Sequence, residues 1–344
     1  MARKKILVTG GAGFIGGNFV QYMVNKYPQY DIYNLDLLTY AGDLTKHRNF
    51  EQKKNYHFIK VDIADRGKIM SVFKKEKFDY ITHFAAESHV DRSITDPEIF
   101  VRTNVLGTQV LLDAAKQINI EKFVHVSTDE VYGELDFDPT TFFTEETPLQ
   151  PNSPYSASKA ASDLLVRAYH ETYGLPVNIT RCSNNYGPFH FPEKLIPLTI
   201  SRVLNEEMVP VYGDGKNIRD WLHVIDHCAA IDLVLHKGIH GEVYNVGGHN
   251  ERTNLEVVKT IINTLGKSEE LIKFVADRLG HDKRYAIDPS KLENLGWKPT
   301  YSFETGIAQT INWYLDNKWW WEQIISGEYK EYFDKQYSLK AKVN

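Results

Sequence analysis

The chain has 344 residues, enough for one large α/β unit or two closely joined domains with a substantial core. Its 42% hydrophobic and 25% charged residues are those of a globular protein, and a net charge of -5 with both signs mixed gives no electrostatic case for nucleic acid or an anionic membrane as partner. The two cysteines, Cys182 and Cys228, exclude a disulfide framework, and no Cys/His cluster has metal-ligand spacing, so no metal is expected.

The basic start, Met1 to Lys5, resembles the head of a signal peptide, but Thr9-Gly10-Gly11 interrupts the apolar stretch within a few residues, so it fails as a hydrophobic signal core. No apolar run reaches the roughly 18 residues a membrane span needs. The simplest expectation is a cytoplasmic protein without a membrane partner.

From the N-terminus, Lys5–Val8 reads as a strand and Phe14–Lys26 as a helix. Asp31–Asp36 is the next strand. Tyr56–Val61 follows, then a helix from about Asp65 to Lys75 and the strand Tyr80–Phe84. A helix over about Asn104–Ile118 leads to the strand Lys122–Ser127. A long helix, about Ser156–Tyr173, and the strand Val177–Thr180 extend the pattern. Strands alternating with helices predict a doubly wound parallel sheet. Beyond Arg181 the alternation weakens and Pro188, Pro192, Pro197, Pro210, Gly213 and Gly215 break the chain, which predicts a smaller mixed α/β lobe. Trp313, Trp319, Trp320 and Trp321 read as a C-terminal helix capping that lobe through aromatic packing.

Between the first strand and helix stands Thr9-Gly-Gly-Ala-Gly-Phe-Ile-Gly16, with glycines at 10, 13 and 16. Glycine permits the tight turn and lets the backbone approach a pyrophosphate at the positive end of the helix. Asp36 ends the second strand, where a carboxylate accepts from the adenosine ribose hydroxyls and repels the 2′-phosphate of NADP; NAD is therefore the expected cofactor. Asp62 and Ile63, at the end of the third strand, are candidates for contact with the adenine.

Tyr155 and Lys159 lie four apart, hence on one helix face. A nearby ammonium favours the phenolate, which predicts a lowered Tyr155 pKa and a base for removing a hydroxyl proton during hydride transfer. Ser127-Thr128 supplies a hydroxyl at the carboxyl end of a parallel strand, where such sheets place ligands. Asp129-Glu130 follows at once and is open to two readings. It is an acidic turn favoured by the helix dipole, or an acid/base pair with one carboxyl kept protonated and the other ionised.

The glycine motif, Tyr155 and Lys159 resemble the extended short-chain dehydrogenase/reductase superfamily, with its Rossmann-type sheet. The segments Ala85–Ser93, His125–Gly133, Ser183–Pro188, His190–Pro197, Asn217–Val224 and Gly280–Asp288 narrow the resemblance to the dTDP-glucose 4,6-dehydratases. The Thr128-Asp129-Glu130 triplet is the most specific match. Related 4-epimerases and decarboxylases need no such pair, and an NAD-sensing regulator needs neither Tyr155 nor Lys159.

The resemblance implies that Tyr155 takes the C4 hydroxyl proton while NAD takes the hydride. Lys159 holds the nicotinamide ribose, and Thr128 bonds near the C4 oxygen. Glu130 removes the C5 proton, Asp129 protonates the departing C6 hydroxyl, and the hydride returns to C6. It also implies that Phe14, Ile15, Asp36, Leu37, Leu38, Thr39, Asp62, Ile63, Ala85, Ala86, Glu87, Ser88, His89, Thr103 and Asn185 contact the cofactor. Ser88, Thr128, Asn184, Lys194, Leu195, Pro210, Tyr212, Arg219, Asn254, Asp277 and His281 are the matching candidates for holding dTDP-glucose. Arg219 has a reason of its own, because a guanidinium grips a diphosphate bidentately.

The implied division is an NAD-binding domain over residues 1–182 with a returning segment at about 222–245, a sugar-nucleotide lobe over 183–221 and 246–330, and a tail over 331–344. A homodimer through the helices near Asn104–Ile118 and Ser156–Tyr173 and a place in deoxysugar (rhamnose) biosynthesis are further implications. Leu279 departs from the family, which usually has proline there; losing that fixed φ is expected to loosen the loop over the nucleotide.

Overall fold

The computed structural model describes residues 3–278 and 280–326. Leu279 and the 331–344 tail lie outside them. The strands are β1 (Lys5–Thr9), β2 (Asp31–Asp36), β3 (Tyr56–Lys60), β4 (Tyr80–His83), β5 (Lys122–Thr128), β6 (Val177–Cys182), β7 (Asn184–Tyr186), β8 (Val209–Tyr212), β9 (Ile218–His223), β10 (Val243–Val246), β11 (Glu251–Thr253) and β12 (Ile272–Val275). Seven of them form one parallel sheet in the order β10-β6-β5-β4-β1-β2-β3. This is the doubly wound sheet expected from the alternation. The chain reverses direction across the sheet at β1, so the carboxyl ends of β1 and β4 diverge into a crevice.

The helices are α1 (Phe14–Lys26), α2 (Arg66–Glu76), α3 (Val90–Thr95), α4 (Pro97–Phe100), α5 (Thr108–Gln117), α6 (Pro154–Tyr173), α7 (Leu195–Leu204), α8 (Val224–Lys237), α9 (Asn254–Thr264), α10 (Ser290–Asn294), α11 (Phe303–Asp316) and α12 (Lys318–Ser326). Successive strand residues face opposite ways. Ile6 and Val8 of β1 therefore bury against Phe19, Val20 and Met23 of α1 and Ile231 and Val234 of α8. Leu7 buries on the other face, with Val110 and Leu111 of α5 and Val166 of α6.

Two helices differ from the sequence reading. The one expected from Asn104 begins as a π-helical stretch, Val101–Gly107, before α5. Such a widened turn fits its polar work: Asn104 is buried and bonds the backbone of Glu87 at 2.9 and 3.0 Å and Ser158 Oγ at 2.8 Å. Helix α6 starts two residues earlier than expected. Ser153 and Ser156 form a reciprocal capping box and Pro154 takes the first helical position, so Tyr155 sits on the first turn.

The remaining strands form a three-stranded sheet (β11-β9-β7) and a two-stranded one (β12-β8). A separate core gathers Tyr186, Ile196, Trp221, Ile261, Ile307 and Tyr314. Trp313, Trp320 and Trp321 pack into it, as the C-terminal reading anticipates, while Trp319 turns outward beneath the Arg48 guanidinium at 4.9 Å. No helix among the described residues is long and apolar enough to cross a membrane.

Candidate active site

A cavity of about 500 Å³ opens at the carboxyl ends of β1, β2, β4, β5 and β6 and continues between them and the residues around β7 to β9. The glycine motif forms one end. Gly10 has φ +73°, and a Cβ there would lie 2.5 Å from Ala85 N; a Cβ on Gly16 would lie 2.3 Å from the Gly10 carbonyl oxygen. Both positions therefore require glycine. Helix α1 starts at Gly13 with no side chain capping it, so its first N–H groups face the cavity uncommitted, as a diphosphate needs.

Asp36 stands beside this turn and accepts from Ala12 N at 2.9 Å and Leu38 N at 2.8 Å. The two bonds fix its carboxylate where a 2′-phosphate would meet negative charge. These features fit a bound NAD. Asp62 is more committed than expected: it accepts from Ala64 N at 2.8 Å and from Arg102 at 2.6 Å.

The chemical end is built by the exit of β5. Thr128 caps a 3₁₀ turn, Asp129–Tyr132, with its hydroxyl accepting from Glu130 N at 3.3 Å. Asp129 is only 1% exposed, and one of its oxygens has no hydrogen-bond partner among the described residues. Burial, then the charges of Glu130 and Asp220, push its pKa well above the usual carboxylate range. Glu130 is pushed up by burial too, but the cations Arg278, Arg219 and Lys194 oppose the shift. Adjacent carboxyls thus sit in different fields: Asp129 feels Glu130 and Asp220 against Arg219, while Glu130 feels Arg278, Arg219 and Lys194 against Asp282. With Asp129 buried, the pair is not a solvated acidic turn.

Tyr155 departs from the sequence expectation. Its pKa lies well above the ordinary phenol value, because burial and the neighbouring Glu130, Cys182 and Asp129 outweigh its hydrogen bond with Thr128. Lys159 does not offset this: its ammonium donates to the Val126 carbonyl at 2.8 Å, and burial pulls its own pKa down to about 8. Helix α6 is fixed from behind by buried Asp163, which pairs with Arg181 at 2.9 Å.

Every residue expected to contact the cofactor lines the cavity except Leu38, whose φ of +61° serves the Asp36 turn. Every one expected to hold the sugar nucleotide lines it except Asp277, which instead accepts from His281 Nδ1 at 2.6 Å and so orients that ring. Arg219 lines the cavity but is buried. It donates to the Ile218 and Asp282 carbonyls at 2.7 and 2.9 Å and stacks on Tyr285 at 4.1 Å.

Sequence reasoning missed Tyr40, Glu193, Arg278 and Tyr285, all in the cavity wall. Tyr40 reaches across the cleft to donate to Glu193 at 3.1 Å, with the Arg92 guanidinium over its ring at 4.0 Å. No spacing signal marks such contacts, since each joins segments far apart in the chain.

The family model described as GDP-mannose 4,6 dehydratase matches residues 7–310. A dTDP-glucose 4,6-dehydratase of Xanthomonas campestris pv. campestris (strain B100) is 54% identical over 343 residues, spanning 94% of this chain and 97% of that protein. The crystal structure of the dTDP-glucose 4,6-dehydratase of Bacillus anthracis str. Ames in complex with NAD is similar at a TM-score of 0.87 and 52% identity, covering 93% of this chain and 99% of that one. DesIV, a dTDP-glucose 4,6-dehydratase from Streptomyces venezuelae crystallised with NAD and TYD bound, matches at a TM-score of 0.89 and 49% identity, with the same coverage of 93% and 99%.

Proposed function

The chain belongs to the dTDP-glucose 4,6-dehydratase family of extended short-chain dehydrogenase/reductases, and we propose that Tyr155, Asp129 and Glu130 carry its chemistry. It is an NAD-dependent hydro-lyase that converts dTDP-glucose to dTDP-4-keto-6-deoxyglucose and water. The observation that supports the assignment of roles is that Asp129 is buried with its pKa raised, while the cations Arg278, Arg219 and Lys194 oppose the rise at half-buried Glu130.

NAD, when bound, would supply positive charge and the reversible hydride chemistry at C4 and C6. Gly10, Gly13, Gly16 and Asp36 would hold it, and Lys159 would reach its nicotinamide ribose. Tyr155 takes the C4 hydroxyl proton, with Thr128 oriented to the same oxygen. The resulting ketone acidifies the C5 proton, which Glu130 removes. Asp129 donates its proton to the C6 hydroxyl, and water leaves. Glu130 returns its proton to C5, and the proton collected by Tyr155 balances the one Asp129 gave up. Burial of the pair keeps bulk water from the reactive intermediate.

The division proposed is residues 1–182 with about 222–245 for the cofactor, and 183–221 with 246–330 for the sugar nucleotide. In support, β10 pairs with β6 in the main sheet. A homodimer is proposed through the helices near Asn104–Ile118 and Ser156–Tyr173, where Leu106 and Leu164 are 46% and 58% exposed. A cytoplasmic location and a role in deoxysugar synthesis complete the reading.

Mass spectrometry of dTDP-glucose incubated with the protein tests it. Loss of one water with no net NADH is expected. Unchanged mass with conversion to the galactose isomer would replace the reading with epimerisation.

A further inference from the structure

Helix α1 is supported from below by a lysine that no part of the reaction uses. Lys46 is 4% exposed, and its ammonium donates to the Gly13 carbonyl at 2.9 Å. The side chain fits because residue 17 is glycine: a Cβ there would lie 2.6 Å from Lys46 Cδ. The segment carrying it is tied to the same loop, since Asp43 N–H donates to the Ala12 carbonyl at 3.0 Å. Asp43 in turn accepts from the Trp320 indole at 2.8 Å. The Phe189 ring, wedged against Trp313 at 4.5 Å, lies 6.0 Å from the ammonium.

The electrostatics are unusual. The charges facing this ammonium are Asp43 on its own segment and Asp36 at the end of β2. Among the described residues neither forms an ion pair with it, and the hydrogen bond it makes is to a neutral carbonyl. A desolvated cation beside the positive end of a helix is unfavourable by itself. An anion at that helix end reverses the balance. Burial pulls the Lys46 pKa down to about 8, which still leaves it mostly charged at neutral pH.

We propose that Lys46 is a positioning residue for the cofactor's diphosphate, gripping the Gly13 carbonyl and adding positive charge beneath the first turn of α1. Its bond to that carbonyl polarises the Gly13–Phe14 peptide, so the Phe14 N–H becomes a stronger donor toward the cavity. The C-terminal tryptophans gain a function by the same route, because Trp320 and Trp313 hold Asp43 and Phe189 around the lysine. This inference rests on the NAD reading, and wild-type binding of NAD tests that reading separately.

The experiment is calorimetric titration of NAD, ADP and adenosine into full-length wild type, K46M and G17A; G17A crowds the lysine out of its notch. For both variants the Kd of NAD and of ADP is expected to rise about 10-fold, while that of adenosine stays unchanged. Ligand-free K46M is expected to melt no lower than wild type, which a merely structural lysine would not allow. Unchanged ADP affinity, or equal loss for ADP and adenosine, overturns the proposal. If K46M does not fold, G17A decides it alone.

Discussion

Replacing Asp129 by asparagine separates two roles that the site assigns to one carboxyl. The D129N side chain keeps the shape but cannot give a proton to the C6 hydroxyl. General acid catalysis is worth about 10²–10⁴ in rate, so kcat for loss of water should fall by that factor. Oxidation at C4 should survive, because Tyr155 is untouched. Glu130 remains able to take the C5 proton, so that position should exchange with deuterated solvent although no water leaves. E130Q should show the reverse: oxidation at C4 without C5 exchange.

The same substitution acts on stability. The folded-state pKa of Asp129 is raised well above the ordinary 3.8. A carboxyl with a raised folded pKa supports the fold while protonated in both states and loses that support as pH rises from about its unfolded value. At neutral pH the asparagine variant is freed of a poorly compensated buried acid, a gain of about 1–3 kcal/mol, or about 2 °C in Tm per kcal/mol for a chain of this size. The Tm advantage of D129N should therefore open from about pH 4 upward. Near wild-type turnover by D129N, or a lower Tm at pH 7, refutes the acid role, and NMR of the C5 position with melting curves across pH measures both.

Three further outcomes follow from other parts of the site. K159M should lower kcat by about 10²-fold or more; because burial holds Lys159 near pKa 8, its ligand-free form should melt above wild type at pH 7, with the margin narrowing between pH 8 and 10 as the wild-type fold gains stability by having released that proton. D36N should weaken NAD binding by about 10-fold and narrow its preference over NADP, read from the ratio of the two Kd values, since the carboxylate that repels a 2′-phosphate becomes neutral. N104A should destabilise the protein by about 2–4 kcal/mol in denaturant unfolding, because three buried hydrogen bonds are lost and the backbone groups of Glu87 are left unpaired.

What was legible in the sequence is what short-range chemistry fixes. Glycines at 10, 13 and 16 announce a turn that the close approach of Ala85 and Gly10 enforces. The Tyr155–Lys159 spacing puts both on one helix face whatever lies around it. The start of α6 was misplaced only because Ser153-Pro154 was not read as a cap. Other features needed the fold. Tyr40 meets Glu193 across a separation of 153 residues, which no local pattern encodes. The Tyr155 pKa was misjudged for the same reason. Spacing gives the presence of Lys159 but not the Val126 carbonyl it turns to, nor the burial that dominates the phenol.

Under the proposed roles, the placement of Asp129 accounts for an elimination within a site that also oxidises and reduces. An elimination at neutral pH needs a proton donor strong enough to discharge a hydroxyl and a base strong enough to remove a carbon acid, side by side. Two carboxyls in water are both ionised at neutral pH, so neither can donate a proton. Here β5 delivers them as consecutive residues at a strand exit, and the fold places Asp220 toward Asp129, Arg278 and Lys194 toward Glu130, and Arg219 beside both. Arg278 and Lys194 lie in segments after β6, so the different surroundings of the two carboxyls depend on parts of the chain far from β5. Removing a cation should then harm the base more than the acid. In R278M, C5 exchange should slow while C4 oxidation persists, and equal slowing of both steps would assign Arg278 to substrate holding alone.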